Sequence, residues 1–302
     1  MSLFLRVEES LHIHFERAAN HGSPPRLLAA MRHAVFSGGA RIRPQLVMAV
    51  AMACGDKDPE LTNAAAVAIE LMHCASLVHD DMPAFDNADQ RRGKPTVHKA
   101  FGEPLALLTG DALIVMAYQV LLNSAAACSP KQLANLMQNM TSGVGLPGGI
   151  VAGQAWECEV TADLGCYQRA KTGALFIAST CAGAMACDAD PTPWIALGAN
   201  LGEAYQVADD IRDVLGHADL LGKPVGQDAL YTRPSSASAL GLKGAVQFFE
   251  GLIDKAVASV PLCFSRDLMQ HMVRQEAERL VPLETRDNYR ASTATPAHNL
   301  AV

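Results

Sequence analysis

Apolar residues recur at helical spacing along almost the whole chain. The pattern predicts helices over residues 25–37, 44–53, 61–81, 104–127, 165–186, 193–214, 244–259 and 266–279, with another beginning at Ser129-Pro130. Asp58 or Thr62 is a candidate cap for the helix over residues 61–81. No run of alternating apolar and polar residues indicates a β-sheet. The pattern therefore predicts an all-α fold, a single large bundle of antiparallel helices around a central cavity.

The chain gives no signal of a domain boundary, so we expect residues 1–302 to form one helical domain. Residues 285–302 have no apolar period and are predicted to be a mobile tail. The longest polar connections, which contain glycine and proline, are residues 83–99, 216–229 and 232–238.

Composition narrows the class of protein. Half of the residues are apolar and 5% are aromatic, and the net charge of −7 argues against a general nucleic-acid binder. The eight cysteines form no CxxC pair, so we interpret them as reduced side chains rather than a disulfide framework or a zinc site. Residues 1–20 lack a signal-peptide pattern, and ionisable residues interrupt both of the longest apolar stretches. We expect a cytoplasmic protein without a membrane span.

Two acidic clusters lie about a hundred and thirty residues apart within apolar sequence. The first contains Asp80, Asp81 and Asp86, and the second contains Asp209, Asp210 and Asp213. Carboxylates are costly to bury without cationic partners. Hard oxygen ligands suit Mg²⁺, which binds to carboxylates together with substrate phosphates. The clusters therefore predict chemistry on a diphosphate.

The spacing within each cluster supports this interpretation. Asp209 and Asp213 are four residues apart and share one helix face with Gln206. Asp80 and Asp81 fall at a helix C-terminus, where acidic side chains oppose the helix dipole. Bound cations would offset both effects. The alternatives are a solvated acidic face for the second cluster and a salt-bridged surface loop for the first.

Basic residues surround the clusters in sequence. Arg91 and Arg92 follow the first cluster within residues 83–99, and residues 216–229 follow the second, so these two connections are predicted to close over a site at the helix ends. Further candidate diphosphate ligands are Arg41, Arg43, Lys171 and Lys223. The GxGxxG match at residues 143–148 is not preceded by a strand pattern, so it does not indicate a dinucleotide site.

Four stretches, residues 38–44, 70–93, 171–173 and 205–213, resemble the trans-prenyltransferases, the short-chain isoprenyl diphosphate synthases. The resemblance covers residues 28–241 and is greatest to bacterial geranylgeranyl diphosphate synthases of the carotenoid type. It implies an all-α homodimer with a deep cavity. It also implies that isopentenyl diphosphate condenses with dimethylallyl, geranyl or farnesyl diphosphate to give geranylgeranyl diphosphate and free diphosphate.

The resemblance also implies the roles of individual residues. Three Mg²⁺ ions per active site would be held by Asp80, Asp81, Asp86, Asp209, Asp210 and Asp213. The catalytic group would be Asp80, Asp81, Asp86, Lys171, Asp209 and Asp210. The substrate-binding group would be Arg41, Arg43, His73, Arg91, Arg92, Lys171, Thr172, Gln206, Lys223 and Arg233. Within it, Arg43, His73 and Arg92 match the isopentenyl diphosphate site.

Three positions depart from the family pattern. One is Arg233, which stands near a lysine often found after the second cluster, so the charge is kept but the donor geometry differs. Ala40 stands where a lysine is usual, which removes a cation from the isopentenyl site. Arg212 replaces an apolar residue in the second cluster, and we expect it to lie off the metal-binding face and to have little effect there.

Product length depends on the helix that precedes Asp80. Ser76 and Ala75 lie four and five residues before it, and Met72 is a further turn away. In the family an aromatic residue at the position of Ala75 stops growth at farnesyl. The small Ala75 therefore predicts a pocket open to a geranylgeranyl product, with Met72 or a facing residue as its floor. Alternatively, Ala75 is only a good helix former in a packed core.

Three alternatives remain beside a geranylgeranyl diphosphate synthase. A farnesyl diphosphate synthase would differ in product length. A non-catalytic partner subunit would usually have lost one or both acidic clusters, but all six acids are present. A terpene cyclase usually carries a different second metal motif. The intact clusters favour an enzyme.

Overall fold

The computed structural model describes residues 2–19, 22–56, 58–159, 167, 169–215 and 236–291. Lys223, Arg233 and the predicted lid over residues 216–229 lie outside these residues, as do residues 292–302 of the predicted tail.

Helices make up most of the described chain, which confirms the predicted all-α class. The first are α1 (Leu3–Ala19), α2 (Pro25–Val35), α3 (Ile42–Ala53), α4 (Pro59–Asp80), α5 (Val97–Phe101), α6 (Glu103–Asn123), α7 (Pro130–Val144) and α8 (Ile150–Trp156). After a π-helix over Arg169–Gly173 come α9 (Ala174–Ala186), α10 (Ile195–Leu215), α11 (Ser236–Ala258), α12 (Arg266–Leu280) and α13 (Leu283–Ala291). Short 3₁₀ turns cover Ala125–Ala127 and Thr192–Trp194.

Two helix starts follow the chemistry that the sequence predicts. The Asp58 carboxylate accepts hydrogen bonds from the backbone N–H groups of Glu60 and Leu61, so Asp58 is the cap of α4. The Ser129 hydroxyl accepts a bond from the N–H of Gln132 at the start of α7. These caps satisfy N–H groups that have no partner within the helix.

The core forms around α4, which packs against α6 and α3 and is buried on almost all sides. A second apolar cluster joins α9, α10, α11 and α12. Close helix approach depends on glycine at two positions. A Cβ at Gly183 would lie 2.4 Å from the carbonyl oxygen of Val47, and one at Gly198 would lie 2.6 Å from the Cα of Ile177. Helix α9 is thereby held between α3 and α10, beneath the acidic cluster of α10.

Two segments are long and apolar enough to cross a membrane, α4 and residues 103–127. Of the apolar window in α4, 78% is buried inside the protein, as in the core helix of a soluble protein. For residues 103–127 the buried share is 44%, because α6 keeps an exposed apolar face.

Several elements differ from the predictions. Helix α1 was not predicted, because its buried stripe consists only of Val7, Ser10, Leu11 and Phe15. The strands β1 (Gln90–Arg91) and β2 (Lys94–Pro95) form a hairpin too short to show alternation. The prediction that residues 285–302 form no regular element is wrong up to Ala291, where α13 ends. The sequence pattern does not indicate this helix because it has too few apolar residues to show a helical period.

Candidate active site

A cavity of about 630 Å³ opens among the ends of α4 and α10, the π-helix and the loop over residues 37–41. Acids of both clusters line it: Asp80 and Asp86 from the first, Asp209 and Asp213 from the second. The fold therefore brings the two clusters to one cavity, although the chain separates them widely. Asp81 and Asp210 do not line the cavity.

The first cluster is tied to two cations. Asp80 is the last residue of α4, and its carboxylate lies 3.3 Å from Nζ of Lys171 and 3.7 Å from Nη2 of Arg91. Asp81 is buried, and both of its oxygens accept hydrogen bonds of 2.7–2.9 Å from Arg91. Burial raises the pKa of Asp81, and the Arg91 contact offsets only part of this. Asp81 fixes Arg91 in place, while Asp80 remains at the cavity wall.

The second cluster divides in the same way. Asp209 and Asp213 reach the cavity, whereas the buried Asp210 accepts a 3.0 Å hydrogen bond from the amide nitrogen of Gln206. The amide oxygen of Gln206 accepts a 2.9 Å bond from the hydroxyl of Thr172. This chain of contacts connects α10 to the π-helix that carries Lys171.

Arg212 does not line the cavity, consistent with the expectation that it lies off the metal-binding face, but its side chain contacts a candidate metal ligand. Its Nη1 lies 3.3 Å from Oδ1 of Asp209, and its Nε donates a 2.9 Å bond to the carbonyl of Leu280. Residues three apart on a helix are neighbours, and the long arginine side chain spans the remaining angle. Arg212 therefore links a candidate metal ligand to the C-terminus of α12.

Lys171 is oriented by residues that the sequence analysis did not identify. Its Nζ lies 2.6 Å from a carboxylate oxygen of Glu157, which also accepts a 2.6 Å bond from the hydroxyl of Tyr167. Gln154 donates to the other oxygen at 2.9 Å. A Cβ at Gly153 would lie 2.3 Å from the backbone nitrogen of Lys171, so α8 meets the π-helix only through glycine. No spacing rule for metal or phosphate motifs indicates this arrangement.

Three candidate substrate ligands, Arg43, His73 and Arg92, also line the cavity. The guanidinium of Arg43 lies 4.4 Å from the ring centre of Phe176, and its Nη1 is 3.4 Å from Nε2 of His73. Burial and the nearby arginines lower the pKa of His73 well below its usual value, so the imidazole is neutral at neutral pH. The Nε of Arg43 is buried and has no partner among the described residues. It is a donor available to an anion.

Arg92 requires a particular backbone around it. Arg92 has a positive φ of 54° beside Gly93 at 73°, which makes the tight turn of the hairpin. Its guanidinium donates to the carbonyl of Gly38. At Gly39, where φ is 121°, a Cβ would lie 2.5 Å from the Arg92 guanidinium carbon. Glycine at this position therefore lets the arginine cross the loop and reach the cavity.

Arg41 has a different environment from the one predicted for a substrate ligand. Its guanidinium makes 2.6 Å contacts with the carboxylates of Glu8 and Glu70 and with the carbonyl of Val35. Burial alone would lower the pKa of Arg41. These carboxylates raise that pKa by more than burial lowers it, so the net shift is upward. At φ 51° Arg41 precedes α3. Each of its three guanidinium nitrogens donates within the protein, so Arg41 holds the loop that leads to Arg43 although it also lines the cavity.

Only one of the three predicted product-length residues lines the cavity. Ser76 lines the cavity beside Leu77. Ala75 and Met72 are buried in the apolar core and do not line the cavity. Helix α4 turns by about 100° per residue, so adjacent residues cannot all face one cavity. Because α4 is buried on almost all sides, its apolar pattern does not indicate which residues face the cavity.

A partly exposed cluster of Tyr205, Glu276 and Arg279 links α10 to α12, and no sequence pattern indicates it. The hydroxyl of Tyr205 donates to Glu276, and the Nη2 of Arg279 donates to the Tyr205 oxygen at 2.9 Å. Arg279 also lines the cavity. Burial raises the pKa of Tyr205 well above its usual value, which keeps the hydroxyl protonated. Sequence separation hid this cluster, because α12 joins α10 only through tertiary packing.

The side chains around the cavity have the donor chemistry that Mg²⁺ requires. Asp80, Asp86, Asp209 and Asp213 supply hard oxygen ligands around one cavity. Within the described part of the chain, no three carboxylate, imidazole or thiol side chains already converge on a single point. The residues fit a cation that completes its shell with phosphate oxygens, as Mg²⁺ commonly does.

Comparisons with known proteins agree with this geometry. Residues 24–252 match the family model for polyprenyl synthetase. The geranylgeranyl diphosphate synthase of Cereibacter sphaeroides is 49% identical, covering 94% of this chain and 98% of that protein. The enzyme of the same name from Rhodobacter capsulatus is 47% identical, covering 94% and 98%. The geranyltransferase of Helicobacter pylori, solved with magnesium and isoprenyl diphosphate, superposes with a TM-score of 0.76 at 26% identity, covering 91% and 97%.

Proposed function

The chain belongs to the polyprenyl synthetase family, and we propose that it condenses isopentenyl diphosphate with an allylic diphosphate to form geranylgeranyl diphosphate. One observation carries this proposal. Carboxylates from two distant clusters share a cavity with Lys171, Arg43 and Arg92. This arrangement offers one place for a metal-bound diphosphate and another for a second diphosphate.

The allylic diphosphate is assigned to the half of the cavity with the two acidic clusters. Asp80, Asp86, Asp209 and Asp213 are the proposed Mg²⁺ ligands, with Lys171 as a direct diphosphate ligand. Bound Mg²⁺ offsets the charge that develops on the departing diphosphate. Asp81 and Asp210 are proposed to act indirectly, since Asp81 orients Arg91 and Asp210 orients Gln206.

The isopentenyl half of the cavity is defined by Arg43, His73 and Arg92. We assign the second diphosphate to these residues, because the buried Nε of Arg43 is an unpaired donor at this wall. The neutral His73 donates or accepts without adding charge. Arg41 is reassigned from direct binding to support of this loop.

The bond changes follow from this placement. The allylic carbon–oxygen bond breaks and its electron pair leaves with diphosphate. The double bond of isopentenyl diphosphate then forms the new carbon–carbon bond. A proton lost from the adjacent carbon passes to the departed diphosphate. The protein aligns the two substrates and keeps water from the carbocation.

Product length is proposed to depend on Ser76, Leu77 and Ile150, the apolar and small side chains of the cavity wall below Asp80. Small Ser76 leaves room for a lengthening chain between these residues. Ala75 and Met72 are proposed to act only from behind this wall. A farnesyl product is the alternative, and chromatography of the reaction products distinguishes the two.

A homodimer is proposed from the surface of α6. Leu108, Val115 and Leu122 are about half exposed and spaced seven residues apart, so they form one apolar stripe. A second copy packing against this stripe would remove it from water. We expect Val115→Glu to convert a dimer to a monomer in light scattering, with Leu268→Glu, at a similarly exposed apolar residue of α12, as the control. A cytoplasmic location and a role in carotenoid biosynthesis complete the proposal.

The central experiment incubates purified protein with Mg²⁺, labelled isopentenyl diphosphate and each allylic primer, then separates the products by chromatography. Asp80→Asn and Asp209→Asn are expected to reduce kcat by about a hundredfold or more. Asp89→Asn is the matched control, since this exposed acid pairs with Lys99 away from the cavity. Absence of any elongated product from the unmodified chain would refute the proposal.

A further inference from the structure

The isopentenyl half of the cavity extends to α12, where Arg279 lies at the wall. Arg279 also borders an adjoining cavity of about 330 Å³, together with Ala40 and Ile42. Ala40 contributes no charge to this end. Arg279 therefore adds a cation to this end of the cavity from a helix more than two hundred residues away in the chain.

Arg279 is held in a fixed orientation. Its Nε donates to both oxygens of Glu276 at 3.0 Å, and its Nη2 bonds to Glu276 and to the Tyr205 hydroxyl. These contacts occupy the Nε and Nη2 donors. The Nη1 donors have no hydrogen-bond partner among the described residues, and the side chain is 46% exposed. An arginine fixed on one edge can present its other edge to an anion.

The same aromatic pair supports Arg279 and Arg43. The Phe176 ring lies beneath the Arg43 guanidinium at 4.4 Å, and its centre is 4.6 Å from that of Tyr205. The Tyr205 hydroxyl in turn holds Arg279 at 2.9 Å. Two guanidinium groups thus stand on adjoining aromatic supports at one end of the cavity.

Glu276 opposes anion binding, so its effect must be weighed against the direct contact. Its carboxylate already accepts hydrogen bonds from Arg279 and Tyr205, which offset its charge locally. An anion at Nη1 would accept a direct charge-assisted hydrogen bond from Arg279. Glu276 is bound to the other edge of the guanidinium, so it lies farther from that anion. The interaction energy falls with distance, so the direct contact dominates.

We propose that Arg279 is a further substrate-binding residue, and that its Nη1 donates to the diphosphate of isopentenyl diphosphate beside Arg43 and Arg92. This assignment rests on the proposed function. It makes α12 part of the substrate site and gives Glu276 and Tyr205 the role of positioning residues.

The test compares Arg279→Ala and Arg279→Lys with Arg274→Ala, a matched control at an exposed arginine on the same helix. We expect Arg279→Ala to raise KM for isopentenyl diphosphate by about tenfold to a hundredfold, the loss of one charge-assisted hydrogen bond. KM for the allylic substrate should change by less than about twofold on the same reasoning. Arg279→Lys should recover part of the loss, and Arg274→Ala should match the unmodified protein.

A rescue variant separates binding from folding. Ala40→Lys in the Arg279→Ala background restores a cation to the same cavity end and should lower KM for isopentenyl diphosphate again. Calorimetric titration with isopentenyl thiolodiphosphate should show the same order of affinities without turnover. An unchanged KM in Arg279→Ala, or equal losses for both substrates together with a lower Tm, would overturn the assignment. An unmodified protein that forms no product would instead refute the proposed function itself.

Discussion

The contact between Arg41 and Glu70 gives a prediction whose size follows from the structure. Their side chains are 1% and 3% exposed, and Nη1 of Arg41 lies 2.6 Å from the Glu70 carboxylate. At that distance the attraction is about 6 kcal/mol for an effective dielectric constant of about 20. The desolvation of both charges offsets much of this, but removing Glu70 leaves the buried Arg41 guanidinium with only the partly exposed Glu8 as its carboxylate partner among the described residues. Such losses cost about 3–5 kcal/mol.

We therefore expect Glu70→Gln to lower the free energy of unfolding by about 3 kcal/mol, the lower end of that range, because glutamine keeps an acceptor. Urea denaturation at neutral pH measures this change. Glu8→Gln is the control, since Glu8 contacts the same arginine at 2.6 Å but is 24% exposed. Its loss should be about 1 kcal/mol or less.

The same variant tests the role assigned to Arg41. Because Arg41 leads into the helix that carries Arg43, Glu70→Gln should also raise KM for isopentenyl diphosphate. A loss of stability no larger than that of Glu8→Gln would show that the buried pair does not hold the loop, and the reasoning would fail.

Other predictions address the metal ligands, the product and pH. Arg212→Leu removes a cation from a candidate metal ligand and should tighten Mn²⁺ binding by about twofold to fivefold in an EPR titration; equal affinities would contradict this. Ser76→Phe should shorten the product seen by chromatography, whereas Ala75→Phe should cost about 1–3 kcal/mol of stability in urea by overpacking the core. A stable Ala75→Phe protein with a shortened product would reverse that assignment. Burial lowers the pKa of His14 from 6.5 to about 4. As the pH drops from 6.5 towards 4, the unfolded state takes up a proton that the folded state does not, so the free energy of unfolding should fall. His14→Gln should flatten that dependence of the urea midpoint, and an unchanged slope would refute it.

Local signals were sufficient for much of the fold. The caps at Asp58 and Ser129 act through residues two or three positions away, so the sequence could indicate both helix starts. The apolar pattern does not predict helix α1, because its buried stripe is narrow and most of its surface is polar. The π-helix at Lys171 depends on the approach of α8 at Gly153, which no local pattern encodes.

The candidate site likewise has some features that local sequence indicates and others that depend on tertiary packing. The acidic clusters were recognised because four-residue spacing fixes a shared helix face for Asp209 and Asp213. The difference between Asp80 and Asp81 was not visible, because it depends on which carboxylate Arg91 encloses. Arg41 was assigned to the substrate for a similar reason, since Glu8 and Glu70 reach it only through packing of α1 and α4.

Residue type and spacing along one helix are enough to indicate the helical class, the two sets of carboxylates and the family. Tertiary structure alone decided which side chains face the cavity. It turned Asp81 and Ala75 inward to other partners and brought Arg279 of α12 to the wall near Arg43. The physical reason is that hydrogen bonds and ion pairs act over a few ångströms in space, whereas helical periodicity records only the order of residues within one element.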